Sequence, residues 1–261
     1  MIRRALLLLA LMAAPAAAQT PTPAPPPSAA GGVEFLSRFD FGVALEHLYT
    51  DDDRFVWDAD FGGDLDLVDY GRGRLAFAAL YETILGREFR AFDPNQGNYT
   101  LAGELSARAR RVEVSGVFHH VSRHLSDRPK RGPVDWNMIG GRVRGRLARG
   151  RTELQGRADL RRVIQRTFVD YRWELDADTH ARVAVRPRVS AVAQGGVRAI
   201  GVDGSRGRGT QYGARAEGGI RLDGRAAALE LFAAVERRID PYQLEFSHAT
   251  WVTTGFRLVG R

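Results

Sequence analysis

The densest run of chemically capable side chains is Phe118-His119-His120-Val121-Ser122-Arg123-His124-Leu125-Ser126-Asp127. His120 and Ser122 are two residues apart. On an extended strand such residues share a face, with side chains roughly 7 Å apart, so an imidazole and a hydroxyl are presented side by side. Arg123, Arg128, Lys130 and Arg131 follow closely, and that basic stretch with a neighbouring His and Ser suits contact with phosphate groups. A metal site is not expected here. His119 and His120 alternate faces, and His120 and His124 lie about 13 Å apart on an extended strand. Asp51-Asp52-Asp53 suits a solvated turn better than Ca²⁺. Gly201 to Gly209 is glycine-rich but lacks a Walker Lys-Ser/Thr, so a mobile loop is expected. No nucleotide, flavin or haem motif is present, and no cofactor is expected. With no Cys, a disulfide scaffold, a Cys-ligated metal and a Cys nucleophile are excluded.

The elements that must hold this cluster are strands. From Phe35 onward a two-residue period recurs about a dozen times. Tyr99, Leu101, Gly103, Leu105, Ala107 and Ala109 fall on one face, and Thr100, Glu104, Ser106, Arg108 and Arg110 on the other. Val112, Val114, Gly116 and Phe118 oppose Glu113, Ser115 and His119, while Ile139, Val143, Gly145 and Leu147 oppose Arg142, Arg144 and Arg146. Tyr171, Trp173 and Leu175 oppose Arg172, Glu174 and Asp176. The polar face is densely charged with both signs, as a closed lumen filled by cross-strand ion pairs requires. The strands also run to the length of a tilted bilayer span, beyond the usual five or six residues. The fold class expected is therefore all-β: a single antiparallel, up-and-down transmembrane β-barrel of about twelve strands with a charged lumen.

The joints between strands alternate tight and long, as the two rims of an outer-membrane barrel do. Among the expected strands are 98–110, 112–124, 136–149, 168–178 and 181–193. The expected tight joints include Ala148–Gly150 and Asp178–His180, and the long ones Gly86–Gly97, His124–Asp135, Gln194–Gly209 and Arg238–His248. Trp57, Trp136, Trp173 and Trp251 are candidates for interfacial rings. The expected lumen charges are Arg108, Arg142, Arg144, Arg146, Arg157, Arg186, Arg188 and Arg215, with Glu104, Glu153 and Glu217 among the acids.

The first 18 residues read as a secretory signal peptide, with Arg3 and Arg4 ahead of an apolar run and Ala16-Ala17-Ala18 before a cut at Gln19. Residues 19–34 form a Pro-rich linker placed in the periplasm, and residues 35–261 the barrel. The chain has 261 residues and a formal net charge of +7. Loss of Arg3 and Arg4 leaves 36 basic against 31 acidic residues, or +5. Export argues against a nucleic-acid partner. The expected address is the bacterial outer membrane, and the expected partners are its lipid, lipopolysaccharide and the barrel-assembly machinery. Such barrels commonly finish on an aromatic residue. Here Phe256 lies a few residues short of the end.

The step His120-Val121-Ser122 on a barrel strand resembles the H-x-S of a family of lipid A deacylase barrels. That resemblance implies Ser122 as nucleophile toward an acyl ester, His120 as base and Asp135 as the acid that orients it. The family uses Glu at that last position, and its barrel is smaller. The longer run His120-Val121-Ser122-Arg123-His124-Leu125-Ser126-Asp127 is similar to the H-x-S-S-H-L-G-D signature of an uncharacterised outer-membrane family, with Arg123 for Ser and Ser126 for Gly. That likeness implies a barrel and a location but no activity.

Three functions are open on the sequence. One is a narrow pore or structural barrel with basic outer loops (Arg123, Arg128, Lys130, Arg131) against lipopolysaccharide. The second is a lipid A or phospholipid acyl-ester hydrolase at His120, Ser122 and Asp135. The third is a barrel whose loops bind a surface partner.

Overall fold

The computed structural model describes residues 32–130 and 132–260. The signal peptide, nearly all of the proline-rich linker and Arg131 lie outside the described residues. Twelve strands follow in chain order: β1 (Glu34–Tyr49), β2 (Trp57–Asp69), β3 (Arg74–Gly86), β4 (Asp93–Ala109), β5 (Val112–Leu125), β6 (Val134–Arg149), β7 (Thr152–Thr167), β8 (Tyr171–Arg186), β9 (Val189–Val202), β10 (Gln211–Asp223), β11 (Ala227–Ile239) and β12 (His248–Gly260). Each pairs antiparallel with its neighbours, and β1 closes on β12 from Gly42↔Val259 to Tyr49↔Val252. Closure leaves no sheet edge to be solvated, which a lipid-embedded sheet requires.

The side-chain period sorts the two faces. Leu105, Val114, Phe118, Ile139, Val143, Leu160, Leu231 and Val235 stand exposed on the outside, while Glu104, Glu113, Arg142, Arg144, Asp159, Glu230 and Glu236 are buried inside. The lumen charges pair in a continuous mesh. Glu104 receives Arg142 at 2.7 Å and Arg144 at 2.9 Å. Arg74 reaches Glu113 at 3.0 Å, Arg157 reaches Asp178 at 2.8 Å, and Arg198 reaches Glu174 at 2.6 Å. Some pairs cross the lumen instead of stepping to the next strand. Arg215 of β10 bonds Glu46 of β1 at 2.9 Å, and Arg238 of β11 bonds Asp58 of β2 at 2.6 Å and Glu82 of β3 at 3.0 Å.

The structure corrects the sequence reading in several places. The expected turn at Asp178–His180 lies in mid-strand: β8 runs on to Arg186 and turns at Pro187 and Arg188, the latter with φ 63°. Asp178 looks like a turn residue because it is polar, but its carboxylate faces the lumen and holds Arg157. Arg186 and Arg188 are consequently exposed at this short turn and do not line the lumen. Arg146 is likewise at the rim, paired to Glu153 at 2.9 Å with 40% of its side chain exposed. The joint expected from Gln194 to Gly209 shrinks to 203–210, since Gln194, Gly195 and Gly196 are strand residues paired to both β8 and β10. Tyr171 departs from the face of Trp173 and Leu175. A register shift between Tyr171 and Trp173 turns it inward, where it is fully buried. Trp136 and Trp251 also face inward and are buried, so only Trp57 and Trp173 fit an outer ring.

The mesh and the rim make opposite predictions for two arginines. Arg238→Met strands Asp58, Glu82 and Glu236 without their shared cation. Removing one partner of a buried pair costs about 3–5 kcal/mol, so the urea midpoint of the refolded barrel should fall steeply. Arg146→Met removes a solvated pair worth about 0–1 kcal/mol and should leave that midpoint nearly unchanged.

Candidate functional site

The long joints gather at one end of the barrel, and the segment between β11 and β12 covers that mouth. Asp240 leaves β11 in a left-handed conformation, φ 46°, and is buried. Its carboxylate accepts the Tyr171 hydroxyl at 2.7 Å and two bonds from Arg208 at 2.8 Å each. Its carbonyl accepts from Arg123 at 3.0 Å, and the Pro241 carbonyl accepts from Gln96 at 2.6 Å. Gln243 donates to the His124 carbonyl. Arg54, from the joint between β1 and β2, bonds Glu245 at 2.7 Å and lies over the Tyr242 ring. One segment thus ties β4, β5, β8 and two other joints together.

Apolar side chains seal the space beneath. Val121, Val134, Trp136, Met138, Val169, Tyr171, Ile200 and Ile239 form one buried cluster, with Leu244 of the segment packed on it. Leu48, Phe55, Ile84 and Trp251 form a second, covered by Tyr242. The lumen below holds a cavity of about 160 Å³ lined on one side by Asp40, Asp60 and Asp64 and on the other by His119, Arg142, Arg144 and Arg157. Buried His119 faces this interior and takes a bond from Arg161 at 2.9 Å.

His120, Ser122 and His124 occupy the outward parity of β5, the parity of exposed Val112, Val114 and Phe118. This is the end of the strand nearest the covered mouth. The expected set His120, Ser122 and Asp135 is only partly brought together. Ser122 faces Asp135 directly across the β5–β6 ladder, but its hydroxyl lies 2.9 Å from His124 Nε2. His120 Nδ1 lies 2.7 Å from Asn137 Oδ1, and Asn137 in turn donates to Gln165. One Asp135 oxygen is buried with no hydrogen-bond partner. Tyr99, opposite Ser122 on β4, sets its ring against that of His124 at 5.2 Å in an edge-on arrangement. The row of rings continues along the wall through Tyr81 of β3 and Phe61 of β2. Sequence reasoning missed His124 as the partner of Ser122. The signal was present, since Ser122 and His124 have the same two-residue spacing as His120 and Ser122.

The basic stretch is bound into the rim. Arg128 is held by Glu88 at 2.6 Å and Asp93 at 2.7 Å, and Arg123 lies over the Trp136 ring as well as bonding Asp240. Lys130 donates to the Arg123 carbonyl at 2.7 Å. Burial lowers the pKa of its ammonium, and the Asp135 carboxylate pulls the other way. Asp52 of the acidic triplet grips Arg54, and Asp53 pairs with Arg87, so both serve the turn.

No protein-family model matches the chain, and no curated protein does. Among solved structures the chain is similar to LpxR from Salmonella typhimurium, with 10% identity and a TM-score of 0.48 over 85% of this chain and 99% of that one. OmpT of Vibrio cholerae in its trimer form gives 11% and 0.45 over 88% and 99%. Omp33 of Acinetobacter baumannii gives 12% and 0.43 over 85% and 97%.

Asp240 fastens the covering segment, and its replacement tests that. Each charged hydrogen bond contributes about 1.5–3 kcal/mol. Asp240→Ala should therefore speed chymotrypsin cleavage within 240–247, at Tyr242, Leu244 or Phe246, by roughly tenfold or more, with the strands uncut. Equal cleavage rates would show that the segment is held by something else.

Proposed function

We propose that this chain is a bacterial outer-membrane barrel that works on its outer surface, as a serine-dependent acyl-ester hydrolase of outer-leaflet lipid. The contact between Ser122 Oγ and His124 Nε2, on the outward face of β5, carries this reading. Supporting it are the apolar coat, which suits a bilayer, and the long-joint rim, which in such barrels faces the cell exterior. The Ser–His pair then stands at the level of lipid ester linkages. The covered mouth and ion-paired lumen argue against a diffusion pore.

The chemistry follows from the pair. As Ser122 Oγ attacks an acyl carbonyl, its proton passes to His124 Nε2. The tetrahedral intermediate collapses, the ester C–O bond breaks, and the departing alkoxide takes the proton from His124. Water then attacks the acyl-serine, His124 accepts its proton, and that proton returns to Ser122 as the fatty acid leaves. The Tyr99 ring limits rotation of the imidazole. The basic rim around Lys130 gives the site an affinity for phosphate-bearing lipid such as lipopolysaccharide. His120, held by Asn137, stands beside the nucleophile without touching it, so the base in this reading is His124.

A closed structural barrel is the second reading, favoured by the same covered mouth. Mass spectrometry of lipid A and phospholipids from cells expressing the chain separates the two. Hydrolysis predicts a species lacking one acyl chain, abolished by Ser122→Ala and reduced by about a thousandfold or more in rate by His124→Ala, with a smaller loss for His120→Ala. An unchanged lipid profile on expression of the intact chain leaves the structural reading.

A further inference from the structure

Like charges face each other at several lumen positions, as in Asp40 with Asp64, Asp159 with Asp176 and Arg144 with Arg157, and there each member is paired with an opposite charge. One cluster of carboxylates lacks that balance. In the ladder between β1 and β2, Glu46 stands directly opposite Asp58. In the next ladder, Asp60 stands directly opposite Glu82. Like charges opposed across a strand pair are destabilising, and here two such pairs are adjacent in an enclosed space. Glu236 approaches from the other side through the cations it shares. Arg215 and Arg238 pair with four of these five carboxylates, all but Asp60. Arg215 is further divided with Glu217.

The oxygens left over point to what is missing. Asp58 is 1% exposed, and only its Oδ2 is bonded, by Arg238, while Oδ1 is buried with no partner. Asp60 makes no hydrogen bond or ion pair among those described. Glu46, Asp58 and Asp60 each offer a carboxylate oxygen within 4.8 Å of the others. A buried oxygen with no donor and a surplus of negative charge are both relieved by one small dication.

We infer that Glu46, Asp58 and Asp60 form a binding site for a hard divalent cation, with Ca²⁺ as the fitting ion, inside the lumen. All-oxygen donors with carboxylate charge are the ligand set for such ions, and Ca²⁺ accepts irregular carboxylate geometry at 2.3–2.6 Å. Glu82, across the ladder from Asp60, contributes field while its oxygens serve Arg238 and Asn98. The covered mouth means the ion enters as the barrel closes, or through slow opening of the 240–247 segment. The site is separate from Ser122, so it tunes the barrel's stability and does not take part in chemistry at the outer face.

The test is to refold the full barrel from urea into detergent micelles with either CaCl₂ or EDTA, remove free ion, and count bound metal by elemental mass spectrometry. One Ca²⁺ per chain is expected, with a melting temperature several degrees above the EDTA-refolded form. Asp60→Asn leaves every observed ion pair intact. It should lower Ca²⁺ affinity at least tenfold, and its EDTA-refolded form should melt above the wild-type EDTA-refolded form because one repulsion is gone. Heat-modifiability on gels confirms that the variant is folded. Wild-type barrel refolded in CaCl₂ that carries no stoichiometric ion overturns the proposal, as does undiminished binding by Asp60→Asn.

Discussion

The structure rests on one constraint: a sheet surrounded by hydrocarbon must satisfy every backbone group internally and put its charges where oil cannot reach them. Pairing of β1 with β12 meets the first demand. The two-residue period meets the second, because every strand then sends its odd and even residues to opposite environments. A slip of one residue in any ladder would turn a row of arginines and glutamates toward lipid. Register here is therefore fixed by the whole circumference.

Placing that much charge in an enclosed lumen has its own cost. Desolvated ions repay their burial only when their geometry is well matched and their remaining donors and acceptors are met. Hence the mesh is shared: Glu104 serves both Arg142 and Arg144, and Arg238 serves Asp58, Glu82 and Glu236. Pairs that cross the lumen, such as Arg215 with Glu46, also tie together strands that share no ladder. The mesh occupies much of the interior, and the 240–247 segment covers what remains at the mouth. The outward Ser122 and His124 sit on a wall stiffened from behind by this packing.

Parts of the molecule look alike in sequence but differ in role. Asp178 and Asp240 are both polar residues near expected joints. One is a lumen ion-pair partner in mid-strand and the other the buried clasp of the covering segment. Trp136 and Trp173 are both strand tryptophans, yet the first is buried against Tyr171 and hydrogen-bonds Glu174 at 2.8 Å, while the second faces outward. Likewise Asp93, Asn95 and Gln96 read as loop residues by composition and are buried at the head of β4.

The sequence alone determined the all-β class, the two faces, the strand number and the alternation of short and long joints, because side-chain parity and turn length are local properties of the chain. It also marked His120, Ser122 and the lumen residues Arg142, Arg144, Arg215, Glu104 and Glu217. Tertiary structure decided that Ser122 meets His124 while Asn137 holds His120, since rotamers and ladder register choose among neighbours of equal parity. It decided that Arg186 and Arg188 lie on a rim, since the end of β8 depends on its partners. It also brought together the carboxylates of β1, β2 and β3 and the distant arginines of β10 and β11, because only closure of the cylinder makes residues so far apart in the chain share one charge balance.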